Sequence, residues 1–204
     1  MLPIFALIAL VSFISVNVYI SRRGKNRRRE VGAPVVDPAT LAIVERVWMD
    51  VAEERGLTVD AAGTLGIRGD TEEVPCEMEL GERPDGISTI ARAHRIPEVT
   101  HKLEIAPVDL EGKVLRLFRG KSKGVGDAAF DEAFASTAEP ERLLMAALDE
   151  PSRETLLLFR PRNPHLTYDG STVELTMDGA VLMHDDLHAI FELLVHVAKL
   201  PAGE

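Results

Sequence analysis

The most hydrophobic part of the chain is its first stretch. Residues 2–20 form a run of 19 residues without a charged side chain. A helix of this length would be about 28 Å long, which matches the hydrocarbon thickness of a bilayer. A cleaved signal peptide would carry positive charge before the run and small residues after it, whereas Met1 precedes it and Ser21-Arg22-Arg23 follows. The pattern therefore predicts a retained transmembrane anchor over residues 1–21, with a cleaved signal peptide and a buried helix of a soluble fold as the alternatives.

Basic residues are concentrated directly after the apolar run. Residues 22–29 carry six of them: Arg22, Arg23, Lys25, Arg27, Arg28 and Arg29. Because Lys and Arg beside a span are retained in the cytoplasm, they predict a single-pass protein of the inner membrane with a cytoplasmic C-terminal domain. A stop-transfer role accounts for these residues, which would also lie against anionic headgroups. The lipid bilayer is thus an expected partner through residues 2–20.

A short linker joins the basic segment to the rest of the chain. Two prolines lie within residues 31–38 and make this stretch semi-rigid. We therefore divide the chain into an anchor over residues 1–21, a basic stop-transfer segment and linker over residues 22–37, and a soluble domain over residues 38–200 that stays near the membrane.

The hydrophobic pattern beyond the linker begins as that of an amphipathic helix. Asp37-Pro38 is a typical helix start, and Gly56 is a typical stop. The apolar stripe between them consists of Leu41, Val44, Trp48 and Val51. We predict a helix over residues 38–55 with this stripe, including Trp48, facing the core.

From residue 57 the apolar residues recur with a period of two, which indicates β-strands. The predicted strands lie near residues 65–68, 74–80, 87–96, 102–105 and 114–119. Cys76 falls on the inner face of the second strand, where it would be a small core residue. Asp85-Gly86 predicts a hairpin turn. No βαβ alternation is visible, so the sheet is expected to be antiparallel.

The C-terminal half combines short helices with a second hairpin. Pro140 and Pro151 each open a predicted helix, and Asp169-Gly170 predicts a two-residue turn that places Leu166 opposite Val173. Asp185 or Asp186 is expected to cap a final amphipathic helix. The fold class is therefore α+β: an N-terminal transmembrane helix followed by one domain with an antiparallel meandering sheet and flanking helices.

Charge and composition exclude several classes of protein. Six of the 23 basic and one of the 33 acidic residues lie within residues 1–30, which leaves 17 basic and 32 acidic residues, a net charge of −15, for residues 31–204. Phosphate groups would repel such an acidic body, so we expect no nucleic-acid partner. Hydrophobic residues make up 46% of the chain, which excludes a disordered protein. The single cysteine excludes a disulfide framework within the chain and any multi-cysteine metal site.

Two histidines near the C-terminus have the spacing of a zinc protease. His184 and His188 are four residues apart, but Asp185 stands where the chemistry needs a glutamate base. If Asp185 or Asp186 caps the final helix, His184 precedes the helix and the two histidines do not share a face.

His188, Glu192 and His196 do share a face, at successive steps of four residues. They lie on the polar arc of the helix, which we interpret as a solvated face. We therefore assign no catalytic, cofactor-binding or metal-ligating residue, and a metal held by these three side chains stays the alternative.

Other short motifs have simple structural explanations. Gly120-Lys121-Ser122 lacks the glycine that a phosphate-binding loop needs five residues earlier, and Gly124-Val125-Gly126 lacks the third glycine of a dinucleotide fingerprint. Asp127 and Asp131 could form an acid/base pair, but capping and turn roles are favoured. Ser152 is interpreted as a helix-start residue.

The segment from Gly126 to Phe159 resembles uncharacterised bacterial families. It reads Gly126-Asp127-x-x-Phe130-Asp131-x-x-Phe134, followed by one helix that opens at Glu139-Pro140-Glu141 and another at Pro151. In those families one or two membrane spans precede a domain of unknown function, and the segment reads Leu-Leu-Thr-Pro where this chain has Leu148-Asp149-Glu150-Pro151. The resemblance implies a membrane-anchored α+β domain and no particular reaction. Phe130 and Phe134 are expected to be core anchors.

These observations together predict a single-pass membrane protein whose cytoplasmic, non-enzymatic domain binds an unknown protein partner or acts as a scaffold. The alternative is a membrane-tethered hydrolase or metal-binding enzyme that uses His188, Glu192 and His196. A third hypothesis is a peripheral lipid sensor that uses the basic residues 22–29.

Overall fold

A computed structural model of the chain describes residues 38–60, 65–83, 86–108 and 124–201. The predicted anchor over residues 1–21, the basic segment and linker over residues 22–37 and the predicted strand at residues 114–119 lie outside these ranges, as does Gly120-Lys121-Ser122. Among the helices that the structure describes, none combines the length and the apolar character needed to cross a membrane.

The domain contains helices at both ends of the sequence and strands between them. The described helices are α1 (Pro38–Arg55), α2 (Ala128–Ala133), α3 (Arg142–Ala147), α4 (Glu150–Leu158) and α5 (His184–Ala198). The described strands are β1 (Thr58–Asp60), β2 (Gly66–Thr71), β3 (Val74–Arg83), β4 (Gly86–His94), β5 (Lys102–Pro107), β6 (Phe134–Glu139), β7 (His165–Tyr168) and β8 (Thr172–Asp178). This confirms the α+β class.

The strands form one antiparallel sheet in the order β1-β2-β3-β4-β8-β7-β5-β6. β2 to β4 form the predicted meander, and β1, which was not predicted as a strand, extends it. The pairing of Arg83 with Gly86 confirms a hairpin between β3 and β4, although Gly86 already belongs to β4. Beyond β4 the meander is wrong, because β4 pairs with β8 and β5 lies between β7 and β6. No strand was predicted at β6, whose pairing with β5 joins segments about 30 residues apart.

Helix α1 forms and ends as its sequence predicts. Three residues of the predicted stripe are fully buried: Val44, Trp48 and Val51. The fourth, Leu41 in the first turn, was expected to face the core but is 40% exposed. At the other end Gly56 adopts a φ of +67°. The Leu57 N–H donates to the Ala52 carbonyl at 2.7 Å and the Gly56 N–H to the Glu53 carbonyl at 3.3 Å. These two bonds form a Schellman motif, which satisfies the last carbonyls of the helix.

The core lies between one face of the sheet and helices α1 and α5. Cys76, Met78 and Leu80 alternate with exposed or half-buried neighbours along β3, as the period of two predicts. Burial raises the pKa of the Cys76 thiol to about 11. Cys76 is therefore a core residue and not a reactive thiol, as the alternation indicated.

The β7–β8 hairpin is present, but the predicted register is wrong by two residues. Leu166 pairs with Leu175, and Tyr168 pairs with Val173. The reason is that Asp169 does not occupy the turn itself: its N–H donates to the Thr172 carbonyl at 3.3 Å, and its Oδ1 accepts from the backbone of Ser171 and Thr172. Because a shift of two keeps every side chain on its face, the predicted core residues of this hairpin are nevertheless buried.

Candidate functional site

Helix α5 begins two or three residues earlier than predicted, because neither Asp185 nor Asp186 is its cap. Its first residue is His184, its N-cap is Met183, and Asp185 and Asp186 lie in the first turn. The expectation that His184 precedes the helix is therefore wrong. His184 and His188 share one helical face, and their ring centroids are 4.5 Å apart. The two negative charges in the first turn favour this start through the helix dipole.

Glu54, from the last turn of α1, completes a cluster with the two histidines. Its Oε2 lies 3.0 Å from Nε2 of His184 and 3.3 Å from Nε2 of His188. The side chains are 55%, 39% and 26% exposed for Glu54, His184 and His188, so solution reaches the cluster. Glu54 is 130 residues from His184, and no local pattern connects the two positions.

Packing between α1 and α5 fixes the position of Glu54. The Trp48 indole, buried in α1, donates from Nε1 to the Val181 carbonyl at 3.0 Å, just before α5. The Arg55 guanidinium lies 5.4 Å from the ring centroid of Phe191 on α5. These contacts bring the end of one rigid element to the beginning of another, so the cluster does not depend on a loop.

Arg55 also determines which ring nitrogen of His188 accepts a hydrogen bond. Its Nε donates to Nδ1 of His188 at 2.8 Å, so Nδ1 is the acceptor and the ring proton lies on Nε2, toward Glu54. Nη2 of Arg55 lies 3.6 Å from Oε1 of Glu192. The Arg55 cation, the His188 imidazole and the Glu54 carboxylate thus form a chain of contacts between α1 and α5.

The side chains of the alternative metal set do not converge. Glu192 faces Arg55, whereas Nε2 of His196 lies 2.9 Å from the Ala146 carbonyl and 3.7 Å from Oδ2 of Asp149. Within the described ranges, the group of three that could hold one ion is Glu54, His184 and His188. The sequence indicated the two histidines but assigned them no role, and it missed Glu54.

Asp127 and Asp131 have the capping and turn roles that were predicted for them. The Asp127 Oδ1 accepts from the N–H groups of Ala129 and Phe130 at the start of α2, and its Oδ2 pairs with Nε of Arg153 at 3.1 Å. These hydrogen bonds, first that from Phe130, hold the pKa of Asp127 below its ordinary value.

Asp131 closes the turn before α2. Its carboxylate accepts from the N–H groups of Val125 and Gly126 at 2.8 and 3.2 Å. This explains Gly124-Val125-Gly126 as a turn. Phe130 and Phe134, on either side of Asp131, are buried and stacked with centroids 4.9 Å apart, which confirms them as core anchors.

Ser152 is buried near the start of α4, as its sequence context indicated. Its N–H donates to Oδ1 of Asp149, the N-cap residue, at 3.0 Å. Burial acts to raise the pKa of Asp149, but the hydrogen bonds from Ser152 and the nearby His196 and Arg153 together outweigh it, and the pKa lies below its ordinary value. Ser152 therefore belongs to a helix cap.

A second polar cluster lies on the sheet face opposite the core. Arg92 on β4 donates to Glu174 at 2.7 Å, to Glu79 at 2.9 Å and to Glu77 at 3.0 Å. One guanidinium thus joins three neighbouring strands. Its geometry is that of cross-strand ion pairing, which stabilises the sheet.

The comparisons with known proteins concern the fold. No protein-family model matches the chain, and no curated protein matches it, so the resemblance of the Gly126–Phe159 segment stays a prediction. The structure is similar to the crystal structure of the mycobacterial trehalose monomycolate transport factor A, TtfA, with a TM-score of 0.50 and 8% sequence identity. The likeness covers 79% of this chain and 98% of that chain. At this identity the likeness shows a shared fold.

Proposed function

We propose that this chain is a membrane-anchored, non-enzymatic factor that supports the transport of an envelope lipid. Its cytoplasmic α+β domain binds a protein partner at the inner membrane. The observation that carries the proposal is the fold likeness to a trehalose monomycolate transport factor, which extends over nearly the whole of that chain. The apolar run at residues 2–20 and the six basic residues after it support the membrane location.

Several polar side chains that could have served an enzyme have structural roles instead. Asp127, Asp131 and Ser152, which could have served an enzyme, are engaged in caps and turns. Arg92 is engaged by three carboxylates on the open sheet face. These side chains stabilise the fold instead of converging on a reacting atom.

The test is rescue of a strain that lacks the gene. Newly made lipid is labelled with radioactive acetate, and the fraction that leaves the inner membrane is measured. We expect loss of the gene to lower this fraction. The full chain should restore it, and so should a variant whose residues 2–20 are replaced by an unrelated single-pass helix, because the proposal needs tethering and not a particular span.

A chain without residues 2–20 is expected not to restore lipid export. Two results would contradict the proposal: rescue by this anchorless chain, or lipid export that does not depend on the gene. Turnover of a substrate by the purified full chain, abolished by a point change that leaves the fold intact, would favour the membrane-tethered enzyme instead.

A further inference from the structure

The geometry points to a divalent transition-metal site formed by Glu54, His184 and His188. We infer that it binds Zn²⁺ or a chemically similar ion through one carboxylate oxygen and two imidazole nitrogens, and that the ion ties the end of α1 to the start of α5. This inference does not depend on the proposed transport role.

The spacing of the donor atoms is that of metal ligands. In a tetrahedral zinc site each donor lies about 2.1 Å from the ion, so that two donors are about 3.4 Å apart. Oε2 of Glu54 lies 3.0 and 3.3 Å from the two Nε2 atoms, and one donor atom from each residue lies within 4.8 Å of the others. Small side-chain adjustments would place all three around one ion.

The donor set selects the class of metal. Two imidazoles and one carboxylate suit Zn²⁺, Co²⁺, Ni²⁺ and Cu²⁺, whereas Mg²⁺ and Ca²⁺ prefer all-oxygen sites. The partial exposure of the three side chains leaves room for water as a further ligand. The Nδ1 atom of His184 lies 3.7 Å from Oδ1 of Asp185, an ion-pair distance that is longer than a hydrogen bond.

Arg55 competes with a bound metal ion for the imidazole of His188. This competition gives the inference a specific test. A neutral imidazole that binds metal through Nε2 carries its proton on Nδ1, but Arg55 donates to Nδ1 of His188. Binding must therefore break this bond, move the His188 proton from Nε2 to Nδ1 through solvent, and turn the guanidinium toward Glu192, already 3.6 Å away. Arg55 lowers the affinity through this competition.

The experiment is a calorimetric Zn²⁺ titration of the full chain in detergent, stripped of metal and free of a polyhistidine tag. We expect one ion per chain. The variants Glu54→Gln and His184→Ala should each weaken binding by at least about tenfold, since removal of a second-shell partner alone costs about 10–100-fold. The matched control is His196→Ala, on the same helix but outside the cluster, which should bind as the parent does.

Arg55→Gln tests the competition directly: it should bind Zn²⁺ more tightly than the parent chain, and equal or weaker binding would overturn the role assigned to Arg55. Substitution of Co²⁺ should give visible absorption bands that His184→Ala removes and His196→Ala keeps. The inference is overturned by the absence of stoichiometric binding, or by binding that depends on His196 and not on His184. Since His184 is partly exposed, its alanine variant is expected to fold, and circular dichroism checks this.

Discussion

Asp127 shows how a single carboxylate can hold several elements together. It accepts two N–H groups at the start of α2 and pairs with Arg153 on α4. Both interactions favour the charged form, so the pKa of Asp127 in the folded chain lies below its ordinary value of 3.8. The carboxylate therefore stabilises the fold above the pKa of the unfolded chain, and this contribution is lost as the pH falls through the lower, folded pKa.

The lowered pKa of Asp127 gives a prediction for the variant Asp127→Asn. Asparagine keeps an oxygen for the cap but loses the charge that faces Arg153. We expect the variant to be less stable than the parent at pH 7, with a difference that shrinks as the pH falls from about 5 to 3, because the parent then loses its charge as well. Urea unfolding midpoints across this range measure the difference. Glu132→Gln, on the exposed face of the same helix, is the control; a difference that grows toward acid pH would contradict the role assigned to Asp127.

Residue roles set by local sequence could be predicted, and those set by distant contacts could not. The cap of Asp127, the burial of Cys76 and the core position of Phe130 follow from their neighbours in sequence. The helix start at His184 differs from the predicted start by two or three residues, yet this small shift decides whether two histidines share a face. Glu54 joins them only through the packing of α1 on α5, which no periodicity reveals.

At the scale of elements, two glycines with positive φ lie in different surroundings. Gly56 ends a helix, and Gly170 connects two strands. Gly56 ends α1 with a φ of +67° and has open space where a Cβ would lie. Gly170 turns the β7–β8 hairpin with a φ of +94°, and a Cβ there would lie 1.8 Å from the Val99 carbonyl oxygen. Gly170 also accepts the Val99 N–H at 2.9 Å, so the turn supports the neighbouring segment.

Gly56 and Gly170 predict different losses of stability for the same substitution by alanine. Gly56→Ala adds left-handed strain alone and should lower the free energy of unfolding by about 1–2 kcal/mol. Gly170→Ala adds a backbone clash to that strain and should cost at least about twice as much, or prevent folding. Urea unfolding of both variants measures this difference. Equal losses of unfolding free energy in the two variants would contradict this prediction, because they would mean that the backbone around Val99 moves aside at no cost in stability.

Periodicity was sufficient for elements whose partners are adjacent in the chain. α1 was predicted from its own start, stop and apolar stripe, and the β2–β4 meander was predicted because each strand pairs with the next one in the chain. β6 was not predicted, because Phe134–Glu139 becomes a strand by adding to the edge of β5. The register of β7 on β8 was missed because the Asp169 side chain moves the turn to Gly170-Ser171.

At the scale of the whole molecule, charge is the property that connects sequence to location. Residues 31–204 carry a net charge of −15, whereas residues 22–29 carry six basic residues and no acid. Anionic headgroups would attract the basic segment and repel the acidic domain. If residues 2–20 are the proposed anchor, this tether holds the domain beside the membrane without letting it lie flat, which leaves its surface available to the proposed protein partner.

The proposed orientation of the chain rests on the same asymmetry and can be measured by fusions after Glu204. Because basic residues beside a span stay in the cytoplasm, we expect a fused fluorescent protein to fold and emit, and a fused phosphatase that needs the periplasm to stay inactive. Replacing the six basic residues by glutamine, with lysines added before Leu2, should reverse both signals. Replacement of six exposed acids in the domain is the control and should change neither. Phosphatase activity of the unaltered chain would contradict the cytoplasmic location, and its partner would then have to be sought in the envelope.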